Sequence, residues 1–210
     1  MRYDDFDQKQ IGWFSLYTLI VALALVAAWG AFSSARAADK GGPQILADAP
    51  YDAKPVWTGL YVGGNAGVVS GVSDWGAGVD GYSGGAQIGA LMQIGRLIAG
   101  VEASYDWKKV SFAGNNIDAK QWDVSGRLGA LVTDHTMLYG KLSRPTLSVD
   151  GLGDSAGIGI GGGLEAMIAK NWSLAGEYMR ETYDKIPNAR AHEVSLRVNY
   201  HIPVLKPLSP

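Results

Sequence analysis

The chain has 210 residues, 29 of them glycine, no cysteine, 18% charged residues and a formal net charge of -2. Without cysteine there is no disulfide framework, Cys-ligated zinc, iron–sulfur cluster or thiol nucleophile. The near-neutral charge leaves no basic footprint for nucleic acid, and the apolar content is too high for a disordered chain.

Residues 11–32 (IGWFSLYTLIVALALVAAWGAF) form a charge-free apolar run long enough to cross a bilayer as a helix. Ala35-Arg36-Ala37 follows, a small-x-small triplet of the kind signal peptidase cuts. Residues 1–37 are therefore expected to be an export signal cleaved after Ala37, with an uncleaved anchor as the rival reading. Residues 38–56 hold Pro43, Pro50 and Pro55 and show no periodicity, as expected of an extended periplasmic leader.

Beyond the leader no apolar run approaches membrane-helix length, and the pattern changes to a period of two. In residues 96–107 (RLIAGVEASYDW), Leu97, Ala99, Val101, Ala103, Tyr105 and Trp107 share one face. Arg96, Ile98, Gly100, Glu102, Ser104 and Asp106 share the other. Successive side chains of a strand point to opposite faces, so one face is greasy and the other polar. The same alternation runs through 84–95, 121–132, 155–168 and 192–202, and less cleanly through 57–69, 137–146 and 172–182. That predicts eight strands, an even number, as bacterial transmembrane barrels require.

The connections alternate in length. Long polar stretches at 70–83, 108–120, 148–154 and 184–191 are expected as loops. Tight turns are expected at Gly95, Asp134-His135 and Lys170-Asn171. Long loops on one end and short turns on the other mark an outer-membrane barrel, the short turns facing the periplasm. Trp57, Trp107, Trp122, Trp172, Tyr183 and Tyr200 sit near segment ends, where interface girdles belong. The predicted fold is thus an all-β, eight-stranded antiparallel transmembrane barrel over 57–202, preceded by the apolar signal helix and followed by a tail at 203–210.

An eight-stranded barrel is narrow, and its interior is filled by side chains. Gly157, Gly159, Gly161 and Gly163 fall on the inward face and would make room for larger neighbours such as Arg127, Arg197 and Glu165. The inward charges balance: Arg96, Arg127, Lys141 and Arg197 against Glu102, Asp123, Glu165 and Glu177. Charges in so narrow a lumen must pair or they are very costly. An ionic plug is expected, with stability as its purpose.

Three stretches carry a family resemblance. Residues 57–67 (WTGLYVGGNAG) after a Pro-rich leader resemble the opening strand of the small porin-like outer-membrane surface antigens of alpha-proteobacteria. Residues 161–178 (GGGLEAMIAKNWSLAGEY) resemble that family's Gly-x-Gly-x-Glu strand, Asn-Trp-Ser turn and Glu-Tyr strand. Residues 192–200 (HEVSLRVNY) are similar to its closing strand. The resemblance implies the fold of the eight-stranded OmpA transmembrane domain. The chain departs from it at the C-terminus: the family commonly ends on an aromatic of the last strand, whereas PVLKPLSP follows Ile202 here. Pro203 cannot donate to a ladder, so the last strand should stop there.

Catalytic patterns are weak. Gly157 to Gly162 fits the dinucleotide fingerprint Gly-x-Gly-x-x-Gly, but the βαβ context that gives it meaning is missing. His192 shares the face of Val194 while Ser195 lies on the other, so the two do not form a nucleophile and base. Nor does any His-x-x-x-His or Asp-rich loop suggest a metal. The expectation is a non-enzymatic outer-membrane protein without cofactor. Its role is envelope integrity and presentation of surface loops; its partners are outer-membrane lipids, the assembly machinery and an unidentified surface ligand. Adhesin, narrow-pore and lipid-modifying readings are the alternatives.

Overall fold

A computed structural model describes residues 55–72, 78–112, 115–149, 153–184 and 190–203. The expected signal at 1–37, most of the leader and nearly all of the tail lie outside the described residues. Eight strands run in chain order: β1 (Gly59–Val72), β2 (Gly78–Ile94), β3 (Leu97–Phe112), β4 (Asn115–Thr133), β5 (Thr136–Val149), β6 (Gly153–Ala169), β7 (Trp172–Tyr183) and β8 (Arg190–Pro203). Each pairs antiparallel with the next, and β1 pairs with β8, closing the barrel. Closure leaves no unpaired edge, which is the condition for β structure in lipid.

The period of two decides which face meets which solvent. Outward positions carry Val101, Leu128, Leu138, Leu142 and Ile160, each more than half exposed. A continuous apolar outer wall would aggregate in water and is matched only by lipid tails. Inward positions carry the buried polar set, including Glu102, Arg127 and Glu165. The barrel is therefore inside-out relative to a soluble domain.

Its two ends differ. At one end the three connections are two-residue turns, at 95–96, 134–135 and 170–171, as the sequence predicts. Gly95 takes φ +63 there, a left-handed conformation that suits glycine. Each turn is tied to the next strand pair, for instance by Leu131 N–H donating to the Arg96 carbonyl at 2.8 Å and Met167 N–H to that of His135 at 2.9 Å. The opposite end carries the longer hairpins. Residues 70–72, 78–83, 108–112 and 115–120 are strand, not the loop expected from their Gly, Asn and Asp content. β1 and β2 stay paired out to Val72 opposite Gly78, and β3 and β4 to Phe112 opposite Asn115. A ladder already in register continues into water at little cost, so hairpin ribbons replace much of the expected loops.

The turn end is floored by a dry cluster of Trp57, Tyr61, Leu91, Ile98, Leu131, Met137, Tyr139 and Met167. Inward glycines seat the two tyrosines: a Cβ at Gly89 would strike the Tyr61 ring, and one at Gly163 the Tyr139 ring. The glycines of β6 thus make room chiefly for Tyr139 and Met179, not for the arginines and Glu165 as the sequence suggested.

Candidate functional site

Above the apolar floor the lumen holds a charged layer built from one residue of each of six consecutive strands. Glu102 comes from β3, Arg127 from β4, Lys141 from β5, Glu165 from β6, Glu177 from β7 and Arg197 from β8. All six are buried. Glu102 Oε1 accepts from Lys141 at 2.8 Å and Arg197 at 2.6 Å, and its Oε2 from the Tyr61 hydroxyl at 2.5 Å. Glu177 Oε1 accepts from Lys141 at 3.1 Å and Arg197 at 2.5 Å, and its Oε2 from the Tyr139 hydroxyl at 2.7 Å. Glu165 takes Arg127 at 2.5 Å, Ser173 at 2.6 Å and Asn199 at 2.9 Å. The Arg127 guanidinium also lies 3.9 Å from the centre of the Tyr139 ring. Three cations meet three carboxylates, and every carboxylate oxygen has a donor. Buried charges persist only under that condition.

A second charged layer lies nearer the hairpin end. Lys108 bridges Glu193 at 2.7 Å and Glu181 at 3.3 Å. Glu181 also accepts from Gln121 at 2.8 Å and Tyr183 at 2.6 Å. Asp106 accepts from Asn65 at 2.8 Å and Ser104 at 3.2 Å, and Asp123 stands beside them. Sequence reasoning missed Lys108 because 108–120 read as loop, and it left Glu181 and Glu193 out of the charge balance although both fall in the expected strands 172–182 and 192–202. The signal was present in the parity: Lys108 keeps step with Glu102 and Asp106, and Glu181 with Glu177.

Of the eight expected lumen charges, six form the central layer. Asp123 is lumenal, but among the described residues it has no ion-pair partner. Arg96 is a correction: it sits in the β2–β3 turn, exposed, and donates to the carbonyls of Leu131 at 2.8 Å and Val132 at 3.1 Å. At a turn the side chain escapes the strand's alternation and caps open carbonyls instead.

The aromatic expectations need two corrections. Trp107, Trp122 and Trp172 face outward and are about half exposed, and Tyr200 packs edge-on against Trp172 with centroids 5.1 Å apart. Trp57 is fully buried in the floor, its indole donating to the Asp134 carbonyl at 3.2 Å. Tyr183 is buried in the lumen against Glu181 and Gln121. Tyr183 shares the parity of the inward residues of β7, and Trp57, two residues before β1, shares that of Tyr61, which outweighs their nearness to a strand end. Tyr82, Tyr105 and Tyr178 are further outward aromatics.

Two arrangements resemble catalytic machinery. Ser173 Oγ lies 3.0 Å from His201 Nε2 and donates to Glu165. The carboxylate holds the serine and Arg127 instead of the far ring nitrogen that a triad acid would orient, and Ser173 is fully buried. The glycine motif from Gly157 lies inside antiparallel β6, not at a strand-to-helix turn, so it cannot cradle a pyrophosphate.

The model of the outer membrane protein beta-barrel domain family matches residues 22–201. Among solved structures, Neisserial surface protein A is similar at a TM-score of 0.52 and 23% identity, over 69% of this chain and 98% of that one. Ail, the attachment invasion locus protein of Yersinia pestis, in complex with the heparin analogue sucrose octasulfate, matches at a TM-score of 0.50 and 16% identity, over 68% of this chain and 97% of that one. No curated protein matches in sequence. At these identities the structural likenesses concern the fold.

Proposed function

The chain belongs to the outer membrane protein beta-barrel domain family, and on that premise we propose that it is a plugged barrel with a structural role in the outer membrane. Its turn end faces the periplasm and its hairpin ribbons face outward, by the rule that short turns lie on the periplasmic side. The barrel stabilises the envelope and presents the hairpins as the surface any external ligand would meet. It is of the small porin-like type found in alpha-proteobacteria, and it is not an enzyme. The burial of Ser173 and the engagement of Glu165 by Arg127 support the non-catalytic reading.

The observation that carries the proposal is the central charged layer resting on the apolar floor. Lys141 and Arg197 each bridge Glu102 and Glu177 across the lumen. Tyr61 and Tyr139 tie the layer to the floor through the same two carboxylates. Eight strands enclose an interior only wide enough for side chains, so this layer blocks an ion path. Purified protein in planar bilayers should show no steady conductance, and stable channels on the nanosiemens scale would overturn the plug.

A further inference from the structure

The outward face of the barrel changes character toward the hairpin end of β7 and β8. On β7 the apolar wall runs from Trp172 to Tyr178 and then meets Arg180. On β8 it runs from Tyr200 to Val194 and then meets His192 and Arg190. Arg180 stands directly opposite His192, and Arg190, two residues along the same face, stands opposite Thr182. Opposed and diagonal side chains on one face of a sheet reach one another, and like charges so placed repel. Both guanidinium charges bear on the imidazole.

The chain does not answer the two arginines. Lys109 meets Asp118 at 3.9 Å and Arg144 meets Asp184 at 3.3 Å, but among the described residues no carboxylate comes within 4 Å of Arg180 or Arg190. Glu181 and Glu193, their neighbours in sequence, point into the lumen and are taken by Lys108. The next outward acid along the same rung is Asp80, on β2 beyond Ser70. Arg180 has Ile160 on its other side. The Tyr178 hydroxyl lies 2.7 Å from His192 Nδ1, and the two rings stack with centroids 6.0 Å apart, which fixes the imidazole.

Depth adds a second argument. Arg180 lies eight residues from Trp172, and His192 eight from Tyr200. Eight residues rise about 26 Å along a strand, and about 20 Å across the membrane at the usual barrel tilt. The apolar band of such barrels is about 25 Å tall. With Trp172 and Tyr200 at one interface, the basic triangle stands at the other, level with lipid headgroups.

We propose that Arg180, His192 and Arg190 bind the headgroup of a lipid that carries a phosphate monoester, its acyl chains lying on the wall at Val194 and Leu196. A phosphate monoester carries a charge of about −1.5 to −2 and three acceptor oxygens. That matches two permanent guanidiniums, whose forked donors suit phosphate. A diester carries a single charge and leaves one arginine unanswered. With the hairpins outward, as proposed above, the lipid belongs to the outer leaflet. That assignment rests on the proposed orientation; the binding does not.

The test offers the full-length protein, refolded in non-ionic detergent, equal amounts of phosphatidic acid, a monoester, and phosphatidylglycerol, a diester. Native mass spectrometry counts the lipid retained. Wild type should hold phosphatidic acid about tenfold better, the worth of one further charge-assisted contact. Arg180→Gln with Arg190→Gln should abolish the preference. Lys109→Gln with Arg144→Gln removes as much exposed charge elsewhere and should keep it. Equal retention of the two lipids by wild type, an unchanged preference in the first double variant, or equal losses in both, overturns the site. So does displacement by equimolar glycerol 3-phosphate, because a soluble phosphate would then be the ligand. All four positions are exposed. Should the first double variant fail to fold, the single variants decide, and each must lower the preference. Steady channels in planar bilayers would sink the plug and leave this preference standing, whereas its absence here leaves the plug intact.

Discussion

The two charged layers of the lumen use the same residue types at similar burial and solve opposite problems. The central layer sets three cations against three carboxylates, and each carboxylate oxygen is answered by Arg, Lys, Tyr, Ser or Asn. The upper layer sets one lysine against four carboxylates and leaves an aspartate oxygen open. The difference follows from position. Next to the apolar floor water has little access, and the chain itself answers every carboxylate oxygen of the central layer, leaving the Nε donors of Arg127 and Arg197 without a partner. Toward the hairpin end the lumen approaches water and ions, and solvent species can complete what the chain omits. The lesson is that charge pairing in a narrow barrel is a function of depth, not of the lumen as a whole.

Breaking the paired layer should give the largest effect. Arg127→Ala removes the cation held by Glu165 and stacked on Tyr139, and leaves a buried carboxylate without its charge partner. Losing one member of such a pair costs about 3–5 kcal/mol, since the other stays buried and charged. Equilibrium urea unfolding in lipid vesicles, followed by tryptophan fluorescence, should show that loss. Asp123→Asn, measured the same way, should stay within about 1 kcal/mol of wild type, because among the described residues it breaks no ion pair. Equal costs for the two variants would mean that depth does not matter.

The floor beneath the paired layer can be attacked through Gly163. A Cβ there meets the hydroxyl end of Tyr139 and the Gly176 carbonyl. Gly163→Val must push the Tyr139 ring aside. That ring donates to Glu177 and carries Arg127 on its face. Overpacking of this kind costs about 1–3 kcal/mol. Urea unfolding should place this variant between the two above, and a loss below 0.5 kcal/mol would show that the tyrosine does not set the layer's geometry.

Most of the central layer was legible in the sequence because two signals coincided there. Period-two alternation placed Glu102, Arg127, Lys141, Glu165, Glu177 and Arg197 on the polar face, and their opposite signs in a narrow barrel required pairing. The upper layer was hidden for a local reason. The stretch around Lys108 is dense in charge and leads to Gly114-Asn115-Asn116, a composition that reads as loop. The ladder overrode it because neighbouring residues were already paired in register. Trp57 and Tyr183 show the same conflict between two clues. Their places near strand ends suggested the membrane interface, while their parity with Tyr61 and Glu181 put them inside. Parity governs, because it is fixed by the pleat of the backbone, whereas nearness to an end is only a tendency. Arg96 marks where parity itself lapses, at a turn.

The smallest effect should come from an ion pair of the same chemistry placed outside the lumen. Arg144 Nη2 lies 3.3 Å from Asp184 Oδ2, with both side chains more than half exposed. In distance this pair matches Lys108 with Glu181 and falls between the two contacts of Arg127, with Glu165 at 2.5 Å and with Glu102 at 3.7 Å. If pairing alone set the energy, Arg144→Ala would cost nearly as much as Arg127→Ala. Exposed pairs gain little, since each partner is well solvated when apart, and the expected loss is about 0–1 kcal/mol. The same urea titration at low salt and at 1 M salt should show that small difference shrinking further, because solvent screens it. The Arg127→Ala loss should persist in both salts, since no counterion reaches the paired layer. A salt-sensitive loss for Arg127→Ala would place the central layer in contact with solution and break the division between the two layers.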